Sequence, residues 1–149
     1  MREAIRFASA NVENGGGPFG AVIARGGEII ATGVNRVTAN CDPTAHAEVS
    51  AIRAAAQKLG TFNLSGCDIY SSCEPCPMCL GAIYWARLDR LFYGNTKADA
   101  ARIGFDDAFI YKELALPLSE RSLRAVQLLG KEAIATFEAW EQKTDKTPY

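Results

Sequence analysis

Apolar positions along the chain change period several times, and each change predicts an element. Met1 to Phe7 reads as a short amphipathic helix, with Ile5 and Ala8 on one face. Phe19 to Ala24 is a continuous apolar run, followed by Gly26-Gly27 and then Glu28 to Val34. A Gly-Gly link between two such runs predicts a β-hairpin, because glycine takes the positive φ that a two-residue turn requires. Asp42-Pro43-Thr44 predicts a helix start, with a capping side chain and a proline suited to a first turn. Val49, Ile52, Ala56 and Leu59 recur at helical spacing, and Gly60 ends that helix.

Asp68 to Ser71 predicts a buried strand, Met78 to Arg87 a helix, and Arg90 to Tyr93 another strand. Ala98 to Ile103 reads as a short helix, and Gly104 to Asp107 as a loop. Ala125 to Leu129 fits a strand or a helix start equally well. Ala133, Ile134, Phe137 and Trp140 mark a final amphipathic helix. Trp85 shares an apolar helix with Ile83 and Tyr84, so it is expected in the core. Strands alternating with helices predict an α/β fold, with helices covering a central sheet. The opening hairpin makes that sheet mixed. No repeat or linker interrupts the chain, so residues 1–149 are expected to form a single domain.

A chain of 149 residues buries a core without disulfides, and its composition is that of an ordinary globular protein. The formal net charge of −1 disfavours a surface built to grip a polyanion, so no nucleic-acid partner is expected. No apolar run is long enough to cross a bilayer, and the N-terminus lacks the apolar stretch of a secretory signal. A cytoplasmic location is expected, where thiols stay reduced. Five cysteines there need another explanation than disulfides, and Cys73, Cys76 and Cys79 fall within seven residues.

Two segments carry chemistry: His46-Ala47-Glu48, and Pro75-Cys76-Pro77-Met78-Cys79. A spacing of three puts Cys76 and Cys79 on one side of a first helical turn. Thiolates suit zinc, and a helix N-terminus favours the ionised sulfur. His46 is the only histidine, so an imidazole ligand must be this one. Three protein ligands leave the fourth position of a tetrahedral ion open for water, the pattern of catalytic zinc. Glu48, beside His46 at a helix start, is the candidate proton carrier between that water, a ring nitrogen and the leaving amine. A lone histidine is usually structural, and a lone Cys-x-x-Cys also serves redox pairs and closed zinc sites. Together, in this order, the two segments match the His-x-Glu and Pro-Cys-x-x-Cys signature of zinc deaminases. Cys73 is a weaker fourth-ligand candidate; Cys41 and Cys67 receive no role.

Asp42 to Glu48 and Cys73 to Cys79 resemble the cytidine deaminase-like superfamily, in the branch holding guanine deaminases and tRNA adenosine deaminases. Phe105 to Glu113, Gly17-Pro18-Phe19-Gly20 and the final Tyr149 are similar to bacterial guanine deaminases in particular. The resemblance implies a three-layer α/β/α sandwich with a mixed central sheet and one zinc ion per subunit. It also implies a small-molecule purine base as substrate, with guanine hydrolysed to xanthine and ammonia. It assigns His46, Cys76 and Cys79 to the metal, and Glu48 and Asp107 to catalysis. Asn35, Phe19, Ala47, Asp107 and Tyr149 are assigned to the base. It further implies a homodimer whose C-terminal segment crosses to the partner, with Pro117 and Ser119 to Arg121 as the connecting arm. A tRNA adenosine deaminase and a cytosine-type deaminase are the competing readings, together with a zinc module that has no activity.

Overall fold

A computed structural model describes residues 1–149, which form two compact units, Met1–Ala108 and Phe109–Tyr149. The first unit opens with α1 (Arg2–Glu13), then β1 (Gly20–Arg25), β2 (Glu28–Val34), a short α2 (Val37–Asn40) and α3 (Ala47–Leu59). It continues with β3 (Asp68–Cys73), α4 (Pro77–Trp85), β4 (Arg90–Asn95) and α5 (Lys97–Arg102). The sheet order is β2-β1-β3-β4. β1 pairs antiparallel with both β2 and β3, and β3 pairs parallel with β4. The sheet is therefore mixed, as the Gly26-Gly27 hairpin predicts.

Side chains alternate across each strand, so neighbouring residues report opposite faces. A Cβ on Gly20 would come within 2.4 Å of the Ala4 carbonyl oxygen, which places α1 against that face. A Cβ on Gly33 would come within 2.2 Å of the Ala47 carbonyl oxygen, which places the start of α3 against the other. Gly33 pairs with Ala21, the next residue after Gly20, so the two helices lie on opposite sides. The fold is a three-layer α/β/α arrangement. Its main core joins Ala21, Ile23 and Ile69 of the sheet to Ala47, Ala51 and Ala55 of α3 and Ile83 of α4. On the other side, α1 buries Ala4, Ala8 and Asn11, one helical stripe.

Several boundaries differ from the sequence reading. Asp42-Pro43-Thr44 forms a turn and not a helix start. The Asp42 carboxylate accepts from the Thr44 N–H at 2.8 Å, which satisfies that donor locally, and α3 begins only at Ala47. Its C-terminus at Gly60 is left-handed, as expected. Helix α2 was not legible, being one turn of Val-Thr-Ala-Asn without an apolar period. Trp85 is no core residue: it lies in the last turn of α4 and is 67% exposed, whereas Ile83 is buried. The α4 sequence is apolar all round, so its pattern could not tell inner from outer positions.

At the unit boundary α6 (Ala108–Ala115) begins, and the second unit also contains a 3-10 turn (Leu118–Glu120) and α7 (Gly130–Gln142). Ala125 to Leu129 is neither strand nor helix. Leu123, Val126, Leu128 and Phe137 in this unit are all exposed.

Candidate metal centre and active site

His46 occupies the N-cap of α3, and Cys76 occupies the N-cap of α4, with Pro77 in the first turn. Two helix starts thus present their ligands to one point. Local hydrogen bonds fix the approach to α3: the Arg36 N–H donates to the Ala45 carbonyl at 2.9 Å, and the Ser50 N–H donates to the His46 carbonyl at 2.9 Å. Cys79 lies one turn into α4 and is fully buried.

His46 Nδ1 lies 3.5 Å from Cys76 Sγ and 3.5 Å from Cys79 Sγ. All the ligand atoms of this triad fall within 4.8 Å of one another. Tetrahedral zinc with ordinary Zn–N and Zn–S bond lengths sets that N···S separation at about 3.5 Å. Both N···S separations therefore suit the ion. The Cys76 thiol is pulled down to about 4, first by the Cys79 thiol donating to it and then by His46. Cys79 is pushed up, because it donates to the Cys76 thiolate and is buried. The Cys76 sulfur in turn raises His46. One thiolate is already favoured by the fold, as a zinc ligand requires.

Glu48 lies in the first turn of α3, with Ala47 buried beside it, and is itself only 5% exposed. Its Oε1 accepts a hydrogen bond from Ser71 Oγ at 2.8 Å. Cys73 is not part of the triad. Burial and then the negative charge of Glu48 push its thiol up to about 11, and its Sγ is directed at the Thr96 carbonyl at 3.7 Å. That leaves His46, Cys76 and Cys79 as the group that could hold a metal ion.

Asn35 is buried at the end of β2, where its Oδ1 accepts from the Val37 N–H at 3.3 Å. Its own N–H donates to the Phe19 carbonyl at 3.1 Å, which ties together two of the positions assigned to the base. The Phe19 ring meets Phe105 edge-on, with centroids 4.8 Å apart. Asp106 caps α6 through the Ala108 N–H at 2.9 Å, whereas Asp107 is partly buried. Burial, and then the charge of Cys76, raise the Asp107 carboxyl. Tyr149 is the exposed last residue of the second unit.

Three contributors escaped the sequence reading. Ser71 ends the segment predicted as simply a buried strand, and Ser72 follows it within the observed β3. Ser72 Oγ accepts from the Gly20 N–H at 3.0 Å. Asn11 is a polar residue on the buried stripe of α1, and its Nδ2 donates to the carbonyls of Gly17 at 2.8 Å and Asn35 at 2.9 Å. The signal in each case is a small polar residue at a position where the period demands an apolar one.

Residues 1–95 match the family model described as the cytidine and deoxycytidylate deaminase zinc-binding region. The chain belongs to this family. Within the family, it is 51% identical to a guanine deaminase of Bacillus subtilis over 150 residues, covering 100% of this chain and 96% of that protein. The solved structure of a guanine deaminase from Bacillus subtilis superposes with a TM-score of 0.96 at 52% identity, covering 99% of this chain and 95% of that one. A second solved structure, in complex with 2,6-diaminopurine, gives a TM-score of 0.70 at 37% identity, covering 72% of this chain and 60% of that one. A tRNA-specific adenosine deaminase of Aquifex aeolicus is 41% identical over 93 residues, covering 62% of each chain.

Proposed function

We propose that this protein is a zinc-dependent aminohydrolase that converts guanine to xanthine and ammonia. The observation that carries the chemistry is the triad of His46, Cys76 and Cys79 with the buried carboxylate of Glu48 at the same helix start. Zinc held by the triad supplies Lewis acidity that brings the pKa of a bound water towards about 7. One ion per subunit follows from one triad per chain. Glu48 takes a proton from the attacking water and delivers it to a ring nitrogen. It then takes the proton of the hydroxyl left on the tetrahedral carbon and passes it to the leaving amine as the C–N bond breaks. The low exposure of Glu48 keeps bulk water from competing for that proton.

Substrate choice rests on the full-length likeness to a guanine deaminase, which includes the Phe105 to Glu113 segment. Guanine offers ring and exocyclic N–H donors side by side, and the Asp107 carboxylate is an acceptor for them. Adenine and cytosine present an acceptor nitrogen beside the amine, which an ionised Asp107 repels. Asn35 supplies an amide that donates and accepts at the base edge, and Phe19 packs on its ring. Ala47 contacts the base through the first turn of α3. The tRNA reading is weaker because the likeness to that relative covers only 62% of this chain. The near-neutral charge of −1 also offers little to an RNA backbone.

The active form is a homodimer with exchanged C-terminal segments. Two features support it. The outer edge of β4 is unpaired in the sheet. The apolar side chains of Leu123, Val126, Leu128 and Leu129 are exposed in a segment with no ladder of its own. A partner's segment laid on such an edge satisfies both. Tyr149 then completes a neighbouring subunit's site. No helix is long and apolar enough to cross a membrane, and the five free cysteines suit the cytoplasm.

Ammonia release from guanine, adenosine, cytosine and cytidine, read on the zinc-loaded protein, tests the substrate. Guanine is the expected substrate. Turnover of another base alone would keep the zinc chemistry and remove the role given to Asp107. A variant ending at Lys146 tests the tail: it loses guanine turnover if Tyr149 takes part, and full activity would remove that role.

A further inference from the structure

Ser71 stands in the middle of β3, paired with Ala21 on one side and Tyr93 on the other. By alternation it shares a face with Ile69 and Cys73, the face that packs against α3. It is 1% exposed. A hydroxyl there has lost its water and needs a partner within the protein. That partner is Glu48, whose Oε1 lies 2.8 Å from Ser71 Oγ. An ionised carboxylate only accepts, so the hydroxyl is the donor. Its polar side-chain contact is with the candidate proton carrier.

We infer that Ser71 is a positioning residue that commits one oxygen of Glu48 and leaves the other to move the proton. Glutamate has three rotatable bonds, and at a helix start nothing in the backbone fixes the last of them. The Ser71 hydroxyl locks that torsion from the sheet, across the interface between β3 and α3. Oε1 is held by the hydroxyl, so Oε2 is the oxygen that accepts the water's proton. The same oxygen then presents that proton to the base. Ser71 acts through Glu48. It sharpens the geometry of a transfer in which a misplacement of about 1 Å costs on the order of a hundredfold in rate.

The inference rests on Glu48 as the proton carrier, and the test separates the two ideas. Ser71→Ala, Ser71→Thr and Glu48→Gln are compared as zinc-loaded enzymes for kcat and KM on guanine, for zinc content, and for binding of the product xanthine. Ser71→Ala is expected to lower kcat about tenfold or more, with KM, zinc content and xanthine affinity unchanged. Ser71→Thr keeps the hydroxyl and is expected to restore kcat. A Ser71→Ala enzyme with undiminished kcat, beside an inactive Glu48→Gln, overturns the role of Ser71 alone. Parallel losses of zinc, xanthine binding and kcat in Ser71→Ala also overturn it, because they mark a packing role. An active Glu48→Gln overturns the proton-carrier reading instead. Should Ser71→Ala fail to fold, Ser71→Cys fills the same space with a weak donor, and its kcat is read in the same way.

Discussion

The side-chain amide of Asn11 donates to the main-chain carbonyl of Asn35 at 2.9 Å, linking the end of α1 to the end of β2. The same nitrogen donates to Gly17 at 2.8 Å. One buried residue thus fixes the loop before Phe19 and the backbone of Asn35 together. Asn11→Ala leaves both carbonyls without this donor, at roughly 1–3 kcal/mol for each group that water cannot reach. Chemical denaturation is expected to show lower stability. The KM for guanine is expected to rise while zinc content stays at the wild-type level. An unchanged KM would separate Asn35 from substrate binding.

Asp107 directly precedes α6 and burial raises its carboxyl, whereas its neighbour Asp106 accepts from the Ala108 N–H. Asp107→Asn replaces a pure acceptor with a group that is half donor, facing donors on guanine. Guanine turnover is expected to fall by about tenfold to a hundredfold, the effect of losing a charge-assisted hydrogen bond of about 1.5–3 kcal/mol. Zinc content should hold. Turnover and zinc both intact would remove Asp107 from the site.

The close approach of Gly33 to α3 predicts a structural failure with a functional readout. A Cβ at residue 33 would sit 2.2 Å from the Ala47 carbonyl oxygen and 2.5 Å from the Ala51 nitrogen, both backbone atoms that cannot swing aside. Gly33→Ala must therefore push α3 off the sheet at the turn that carries His46 and Glu48. Lower zinc retention and a lower melting temperature are expected together. Normal values for both would show that the strand yields instead of the helix.

Much of this was legible in the sequence because the signals were chemical and local. His46, Cys76 and Cys79 were identified by residue type and spacing, and the fold brings them within 4.8 Å. The hairpin was legible because Gly26 and Gly27 both adopt the positive φ that the turn needs. What escaped depends on contacts between distant segments. Asn11 and Asn35 are 24 residues apart, and Ser71 and Glu48 are 23 apart, so no local pattern reports either pair. The misplaced start of α3 has a local cause: the Asp42 side chain stabilises a turn as readily as it caps a helix. Trp85 was misread because an apolar residue in an apolar helix carries no direction.

Removal of a zinc thiolate gives a prediction with two readouts. Cys79→Ser replaces a buried sulfur with a weaker zinc ligand and disturbs the pairing with Cys76. Zinc content by elemental analysis is expected to drop below that of the wild type, and activity to follow it. Excess zinc should restore part of the activity. The same loss in Cys73→Ser would place a fourth ligand in the centre and exclude the open position.

The most direct test of the whole account is guanine turnover by zinc-loaded Glu48→Gln. The substitution keeps the size of the side chain and a hydrogen-bonding partner for Ser71, and removes the negative charge together with the ability to carry a proton. Full zinc content with turnover reduced by at least about a hundredfold, the lower end for a lost general acid–base, is the predicted result. Glu48→Gln turning guanine over at the wild-type rate would contradict it.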